Sequence, residues 1–377
     1  IHAYIDCRKH KSKSMYKAEF EYNLEENLYK LYEDIKSGVY TIGSSICFVI
    51  TIPKVREIWA ANFRDRIVHH FIYNRIYRKY YNRFIKDTYS CIPKRGTLNG
   101  VLSLESYAKK ITNGYSRSAY FMKCDIKNFF VSMDRDVLYN LLKGEDELIA
   151  ELLKKVIYNN LKENAVIKSS KDLFALLPKY KSLWYADENR GLPIGNLTSQ
   201  FFSNIYLNEL DQFVKHKLRC KYYCRYVDDF VLMSLDAKEL LRWYDEISEF
   251  LSTKLHLELH KNKRVINKIC KGIDFVGYVT KPHRKYIRQK TLKKVYKIIR
   301  EYFKQDNWYE EKEVDRFISR INSYLGLLKN VNSYRIRVDI CSRCRNLLIN
   351  SDSRCTKLYS VMRYNIKREF LRAKAVK

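Results

Sequence analysis

Tyr226-Val227-Asp228-Asp229 lies between two short runs of strand-forming residues, Tyr222–Tyr226 and Phe230–Met233. The pattern predicts a tight hairpin with two adjacent acids at its tip. Strands disfavour aspartate, and two neighbouring carboxylates repel each other. A divalent cation removes that cost, because hard oxygen ligands suit Mg²⁺. A solvated turn would explain the pair equally well if it stood alone, so its meaning depends on what precedes it.

Upstream, Ala119–Cys124 reads as a strand that delivers Asp125, within Phe121-Met122-Lys123-Cys124-Asp125-Ile126-Lys127-Asn128-Phe129-Phe130. An acid ending one strand, set beside a hairpin that carries two more, makes a cluster of Asp125, Asp228 and Asp229. Such a cluster suits two-metal phosphoryl transfer. Taken alone, Asp125 would read as a turn acid or helix cap.

The chain has 377 residues and a formal net charge of +30. That excess calls for an acidic partner, and a phosphate backbone is the natural one. The basic residues are spread along the whole chain and no apolar run reaches membrane length, so a membrane role is not expected. The 32 tyrosines, interleaved with Lys and Arg, suit stacking on bases; an A/T-rich genome would enrich the same residues. Ten cysteines are scattered, with Cys341-Ser342-Arg343-Cys344 the one CxxC and Cys355 the nearest further thiol. No second pair stands at zinc-finger spacing, and reduced thiols are expected. His69-His70 and His256/His260 make no metal set either. The start, Ile1-His2-Ala3-Tyr4, has no signal-peptide pattern and no Met, which suggests a trimmed N-terminus.

With 5 Pro and 11 Gly the chain reads as continuously folded. Helical spacing marks Leu24–Gly38, Arg64–Tyr80, Arg135–Lys143, Ser199–Leu218 and Ala237–Lys254. Strands are expected at Ile46–Ile52, Leu255–Leu259 and Ile273–Val279. After Thr280 strands should stop, and basic amphipathic helices follow at Thr291–Phe303 and Glu313–Leu328. The basic tail from Leu358 is also expected to be helical.

Four further segments, in order, resemble a reverse transcriptase. Ile52-Pro53-Lys54-Val55-Arg56, leading into Phe63-Arg64-Asp65-Arg66-Ile67-Val68, is similar to the fingers. Leu192-Pro193-Ile194-Gly195-Asn196-Leu197-Thr198-Ser199-Gln200 resembles the segment that supports the incoming nucleotide and the template. Leu257-Glu258-Leu259-His260, followed by Lys263, resembles the motif whose lysine lies near the triphosphate. Ile273-Asp274-Phe275-Val276-Gly277-Tyr278 resembles the primer grip. Most members have Gln-Gly in the nucleotide-support segment and end it in Ser-Pro. Here Ile194-Gly195 and Ser199-Gln200 stand instead. With Ala60 to His70 and Ser323-Tyr324-Leu325-Gly326-Leu327-Leu328, that variant resembles the reverse transcriptases of diversity-generating retroelements. Those bacterial and phage enzymes copy a template-repeat RNA into cDNA with errors at template adenines. Group II intron-like and retron reverse transcriptases, or an inactive RNA-binding scaffold, are the alternatives.

The resemblance implies an α+β right-hand polymerase fold. Fingers would occupy residues 1–100, an antiparallel-sheet palm 101–280 with a fingers insertion around 144–198, and a basic helical thumb and tail 281–377. It implies that Asp125, Asp228 and Asp229, with the Ile126 carbonyl, hold two Mg²⁺ ions, with Mn²⁺ the alternative. Lys54, Arg56, Asn128, Phe129, Phe130, Ile194, Gly195, Gln200 and Lys263 would bind the nucleotide, with Phe130 as the ring that excludes a ribose 2′-hydroxyl. Tyr226, Val227, Phe275, Val276 and Gly277 would contact the primer. The implied partners are template RNA, cDNA and primer, deoxynucleoside triphosphates, and a small basic accessory protein forming a pentameric barrel. The implied location is the cytoplasm of a bacterial host.

Overall fold

The computed structural model describes residues 1–9, 14–52 and 54–361. Backbone contacts divide the chain into two units, residues 1–100 with 121–266, and residues 101–120 with 267–377.

The first unit holds the Asp-Asp hairpin. Tyr222–Tyr226 (β5) pairs antiparallel with Asp229–Ser234 (β6), in a register that puts Tyr226 opposite Asp229 and Tyr222 opposite Met233. Tyr120–Asp125 (β3) lies on the other side of β6, and Val265–Lys268 (β7), which begins in this unit, takes the place beyond β3. Phe230, Val231, Leu232 and Met233 are all buried, on both faces of β6. That explains the unbroken apolar run where a one-faced strand would alternate. Helix Ala237–Lys254 packs on β6 through Leu240, Trp243, Ile247 and Leu251.

A second sheet in this unit is formed by Ser45–Ile50 (β1) and Arg56–Ala61 (β2), antiparallel, with Ala165–Ile167 (β4) parallel to β1. Helix Phe63–Tyr81 follows β2 at once. Its N-terminus is capped by Asn62, whose side chain accepts from Asp65 N at 2.9 Å. Helix Leu197–Gln212 is buried nearly all round, including Ser203, Asn204, Asn208 and Asp211, so it is a central helix with polar business inside. The expected single helix to Leu218 gives way after Gln212 to a wider π turn, Phe213–Lys217.

The second unit contains a three-stranded antiparallel sheet of Ile273–Phe275 (β8), Tyr278–Lys281 (β9) and Arg284–Ile287 (β10). Helices Gln289–Tyr302, Glu311–Leu328 and Tyr334–Cys344 share a core that includes Val295, Ile299, Phe317, Ile321, Leu325 and Ile340. Tyr302 and Phe317 stack there with ring centres 3.8 Å apart.

Three expectations are corrected. Leu255–Leu259 is not a strand: its one ladder contact is an isolated bridge from Leu259 to Ile126. Ile273–Val279 is not one strand but two, folded back at Val276-Gly277, where both residues have positive φ. Strands also continue beyond Thr280, in β10 and in a small hairpin of Ile349–Ser351 with Leu358–Ser360. The expected helix from Leu358 therefore begins in strand, and its remainder from residue 362 lies outside the described residues. No helix among the described residues is long and apolar enough to cross a membrane.

Candidate active site

Asp125 is the last residue of β3 and is buried. Backbone bonds hold it from two sides. Ile126 N donates to the Asp228 carbonyl at 3.3 Å, and His260 N donates to the Asp125 carbonyl at 2.8 Å. Lys127 N donates to the Glu258 carbonyl at 2.8 Å, so Glu258–His260 runs as a short splint along Asp125–Lys127. The hairpin tip is tight because Val227 takes a left-handed φ of 55°. That conformation is rare for a β-branched residue and marks a turn held by its surroundings.

The carboxylates feel one another. Burial first, then the charges of Asp125 and Asp229, push the Asp228 carboxyl up to about 6. Two ammonium groups stand where cations are wanted. Lys263 Nζ is bonded to Asp125 Oδ2, and Lys123 Nζ lies 3.6 Å from Asp229 Oδ1. Among the described residues no three His, Cys, Asp or Glu side chains already form a metal cage. The donors nonetheless fit hard divalent cations: Asp125 and Asp228 close enough to interact, Asp229 beside them, and only lysine ammoniums to displace.

Beyond Asp125 the chain turns sharply at Asn128, φ 49°, a conformation Asn tolerates better than most residues. Phe129 fills the core against Tyr206, whereas the Phe130 ring, 5.3 Å from that of Phe129, stays half exposed. The Phe130 carbonyl accepts from Leu192 N at 2.7 Å. Leu192 opens the segment that then crosses to β2, where Trp59 N donates to the Ile194 carbonyl at 2.8 Å and Ala61 N to Asn196 Oδ1 at 3.1 Å. Gly195 is required between them, because a Cβ there would stand 2.7 Å from the Trp59 carbonyl oxygen. One hydrogen-bonded trail thus joins Asp125, Phe130 and Ile194 to the strand that begins with Arg56.

Lys54 and Arg56 are exposed at the β1–β2 turn, and Gln200 is exposed on the first turn of its helix. Arg64 and Asp65 have structural work instead. Arg64 pairs with Asp34 at 2.6 Å, and buried Asp65 accepts from Tyr40 Oη at 2.8 Å and Gly43 N at 2.9 Å. His69 is buried and bonded to Thr198 Oγ1 at 2.8 Å, which steadies the helix start that follows Ile194–Asn196. His256 is exposed and meets Asp134 at 2.8 Å. Phe275, Val276 and Gly277 belong to the second unit, at the β8–β9 turn.

Sequence reasoning gave no role to Lys123, Asn196 or Arg225. Asn196 stands at the N-cap of its helix, but its side chain does not cap: Oδ1 accepts from Ala61 N on β2 instead, a distant partner that no local spacing announces. Nothing marks Arg225, since an arginine next to a tyrosine in a strand reads as an outward-facing residue.

The profile of the family described as "Reverse transcriptase (RNA-dependent DNA polymerase)" matches residues 52–280. The chain belongs to the reverse transcriptase family. The matched span of this reverse transcriptase contains the three aspartates, the Phe130 turn and the Ile194 segment, and its fold is the α+β right hand of polymerases. Among curated proteins it is 22% identical over 323 residues to the group II intron-encoded protein LtrA of Lactococcus lactis subsp. cremoris, covering 67% of this chain and 49% of the relative. It is 21% identical over 318 residues to the putative COX1/OXI3 intron 2 protein of Saccharomyces cerevisiae, covering 67% and 34%. The chain thus spans about half, or less, of the length of these relatives. Among solved structures, apo telomerase from Candida tropicalis aligns with a TM-score of 0.47 at 12% identity, over 66% of this chain and 55% of that one. Telomerase from Candida albicans, solved with a fragment of telomeric RNA, aligns with a TM-score of 0.45 at 13% identity, over 81% and 58%.

Proposed function

We propose that this reverse transcriptase copies a template-repeat RNA into cDNA with errors at template adenines, for mutagenic retrohoming of a target gene. The observation that carries this reading is Ile194, an apolar residue in the nucleotide-support segment where most of the family has Gln. Its backbone is fixed on β2, so the change acts through the side chain alone.

Within this reading Asp125, Asp228 and Asp229, with the Ile126 carbonyl, hold two Mg²⁺ ions, or Mn²⁺ in their place. Held by these residues, such ions would supply activation of the primer 3′-hydroxyl and charge stabilisation for the leaving pyrophosphate. Lys54 and Arg56 bind the triphosphate, with Lys263, now paired with Asp125, close by it. Asn128 and Phe129 shape the turn on which the sugar rests, while Gly195 and Gln200 flank the base pair. Tyr226 and Val227 contact the primer end, and the resemblance assigns Phe275, Val276 and Gly277 to the primer strand. Fingers at residues 1–100, a palm at 101–280 with a fingers insertion around 144–198, and a thumb and tail at 281–377 are the assignment the resemblance implies. A pentameric basic accessory protein is the proposed partner, and the bacterial cytoplasm the proposed location.

Sequencing cDNA made on an RNA with all four bases equally represented tests the proposal. Misincorporation concentrated at template adenines is expected. Errors spread evenly over the four bases would overturn it and favour a second reading, a group II intron-type reverse transcriptase, which the lactococcal and yeast relatives support.

Two residues refine the chemistry. Ile194 cannot accept or donate a hydrogen bond where Gln can. One such bond is worth about 0.5–1.5 kcal/mol, or roughly threefold to tenfold in discrimination. Ile194→Gln is therefore expected to lower errors opposite adenine by about that factor, more than opposite other bases. An unchanged adenine error rate would mean Ile194 only packs.

Phe130 concerns the sugar. Phe129 already occupies the core position, so the half-exposed Phe130 ring is the one free to meet C2′. Phe130→Ala should admit ribonucleotides, raising their incorporation about tenfold or more relative to deoxynucleotides, since a steric block costs more than a lost contact. Parental rejection of ribonucleotides by the variant would place the gate elsewhere.

A further inference from the structure

Arg225 lies two residues before Val227 at the hairpin tip, and its side chain is wholly buried. Its Nε donates to Asp211 Oδ1 at 2.7 Å and its Nη2 to Asp211 Oδ2 at 2.6 Å. Its Nη1 donates to Asn204 Oδ1 at 3.3 Å and to the Val227 carbonyl at 3.1 Å. Asp211 is saturated by two further donors, Tyr223 Oη at 2.8 Å and Thr88 Oγ1 at 2.7 Å. The backbone of Arg225 is also paired, its N donating to the Asp87 carbonyl at 2.9 Å and its carbonyl accepting from Tyr89 N at 3.0 Å.

A buried ion pair is weak grounds for stability, because apolar side chains of similar volume usually serve as well. What an apolar side chain could not do is reach the Val227 carbonyl. Val227 sits in the left-handed region, immediately before Asp228. Its carbonyl is held by Arg225, and the next carbonyl, that of Asp228, is held by Ile126 N. With both peptide planes fixed, the direction in which the Asp228 carboxylate leaves the turn is fixed too. The anchor is equally specific. Asn204 and Asp211 are seven residues apart, on one face of helix Leu197–Gln212, whose first turn continues the nucleotide-support segment. The guanidinium therefore ties the hairpin tip to the helix that follows Ile194–Asn196.

We propose that Arg225 is a positioning residue: from Asp211 and Asn204 it holds the Val227–Asp228 peptide so that the Asp228 carboxylate is aimed to the side of Asp125, where the two would hold a divalent cation. The inference rests on the reading of these aspartates as metal ligands. Lysine keeps the charge beside Asp211 but has no planar fork, so it cannot span Asp211 and the Val227 carbonyl together.

The test is Arg225→Lys, with Mn²⁺ as the probe. Mn²⁺ binding to the resting, nucleic-acid-free protein is followed by electron paramagnetic resonance. Extension is measured per active site, from burst amplitude. Mn²⁺ affinity is expected to fall about tenfold, as for other residues that orient a metal ligand. The rate per active site should fall about tenfold to a hundredfold with little change in the nucleotide KM, the mark of a misplaced carboxylate. Thr88→Val, which removes a different hydrogen bond from Asp211, should lower the melting temperature but leave Mn²⁺ affinity and rate per active site unchanged. Should Arg225→Lys fail to fold, Asp211→Glu keeps the ion pair but shifts the anchor by one methylene, and the same two losses are expected. Parental Mn²⁺ affinity and rate per active site in the folded variant, with only a lower melting temperature, would make Arg225 a packing residue and overturn the proposal. Asp228→Asn measured alongside separates the two levels: if it too binds Mn²⁺ like the parent, the metal-site reading fails first and the role of Arg225 falls with it.

Discussion

Asp228→Asn is expected to lower DNA synthesis on an RNA template by about a thousandfold or more. The substitution keeps the size of the side chain and discards the charge. Asp228 lies beside Asp125, whose Oδ2 is bonded to the Lys263 ammonium, and Asp229 leans on Lys123, so the two remaining carboxylates are already engaged and cannot simply replace the lost charge. Removing one of three like charges also relieves the repulsion that raises the Asp228 carboxyl, so the folded protein should melt no lower than the parent. RNA binding should stay within about twofold, because phosphate contacts of a strongly basic chain supply most of that energy. Filter binding, melting and primer extension on one preparation check all three. Near-parental extension would reject the active-site assignment.

Gly195→Ala should have the second-largest effect. Gly195 has φ +141°, and an added Cβ would lie 2.7 Å from the Trp59 carbonyl oxygen and 3.1 Å from Ile58 Cγ2. The nearest obstacle is backbone, which no rotamer change can clear. Either β2 shifts or the segment lifts away, and both routes break the bond from Trp59 N to the Ile194 carbonyl. Strain of this kind costs about 1–3 kcal/mol. Since β2 begins at Arg56, the loss should appear mainly as a weaker nucleotide KM, by about tenfold to a hundredfold, with less change in kcat. A parental KM would show that the contact between this segment and β2 does not set nucleotide affinity.

The parts of this site legible in the sequence are those whose local pattern is self-sufficient. Asp125 could be placed at a strand end because a run of strand formers leads into it, and the Asp228-Asp229 hairpin because short runs of strand formers flank the pair. Helix Ala237–Lys254 was readable to its boundaries from its helical spacing. What stayed hidden depends on distant partners. Leu255–Leu259 has strand composition, but only Leu259 finds a neighbouring edge, at Ile126. Arg284–Ile287 is charged and looks like a loop, yet it pairs along its whole length with Tyr278–Lys281. The Val276-Gly277 fold-back was within reach, since glycine at the second position of a two-residue turn is a hairpin signal. Arg225 was not, because its partners Asp211 and Asn204 lie 14 and 21 residues away on a helix, and no local spacing announces a buried guanidinium.

DNA synthesis by this chain should be directed by RNA and should depend on a divalent metal. The most direct test is extension of a DNA primer annealed to an RNA template by the purified chain, with Mg²⁺ and deoxynucleoside triphosphates, and with chelator in a parallel reaction. The result predicted is extension that needs the metal, stops where the complementary nucleotide is withheld, and disappears in Asp228→Asn. A protein that binds the RNA–primer duplex but extends nothing, in Mg²⁺ or in Mn²⁺, would contradict it and leave a polymerase fold that serves as an RNA-binding scaffold.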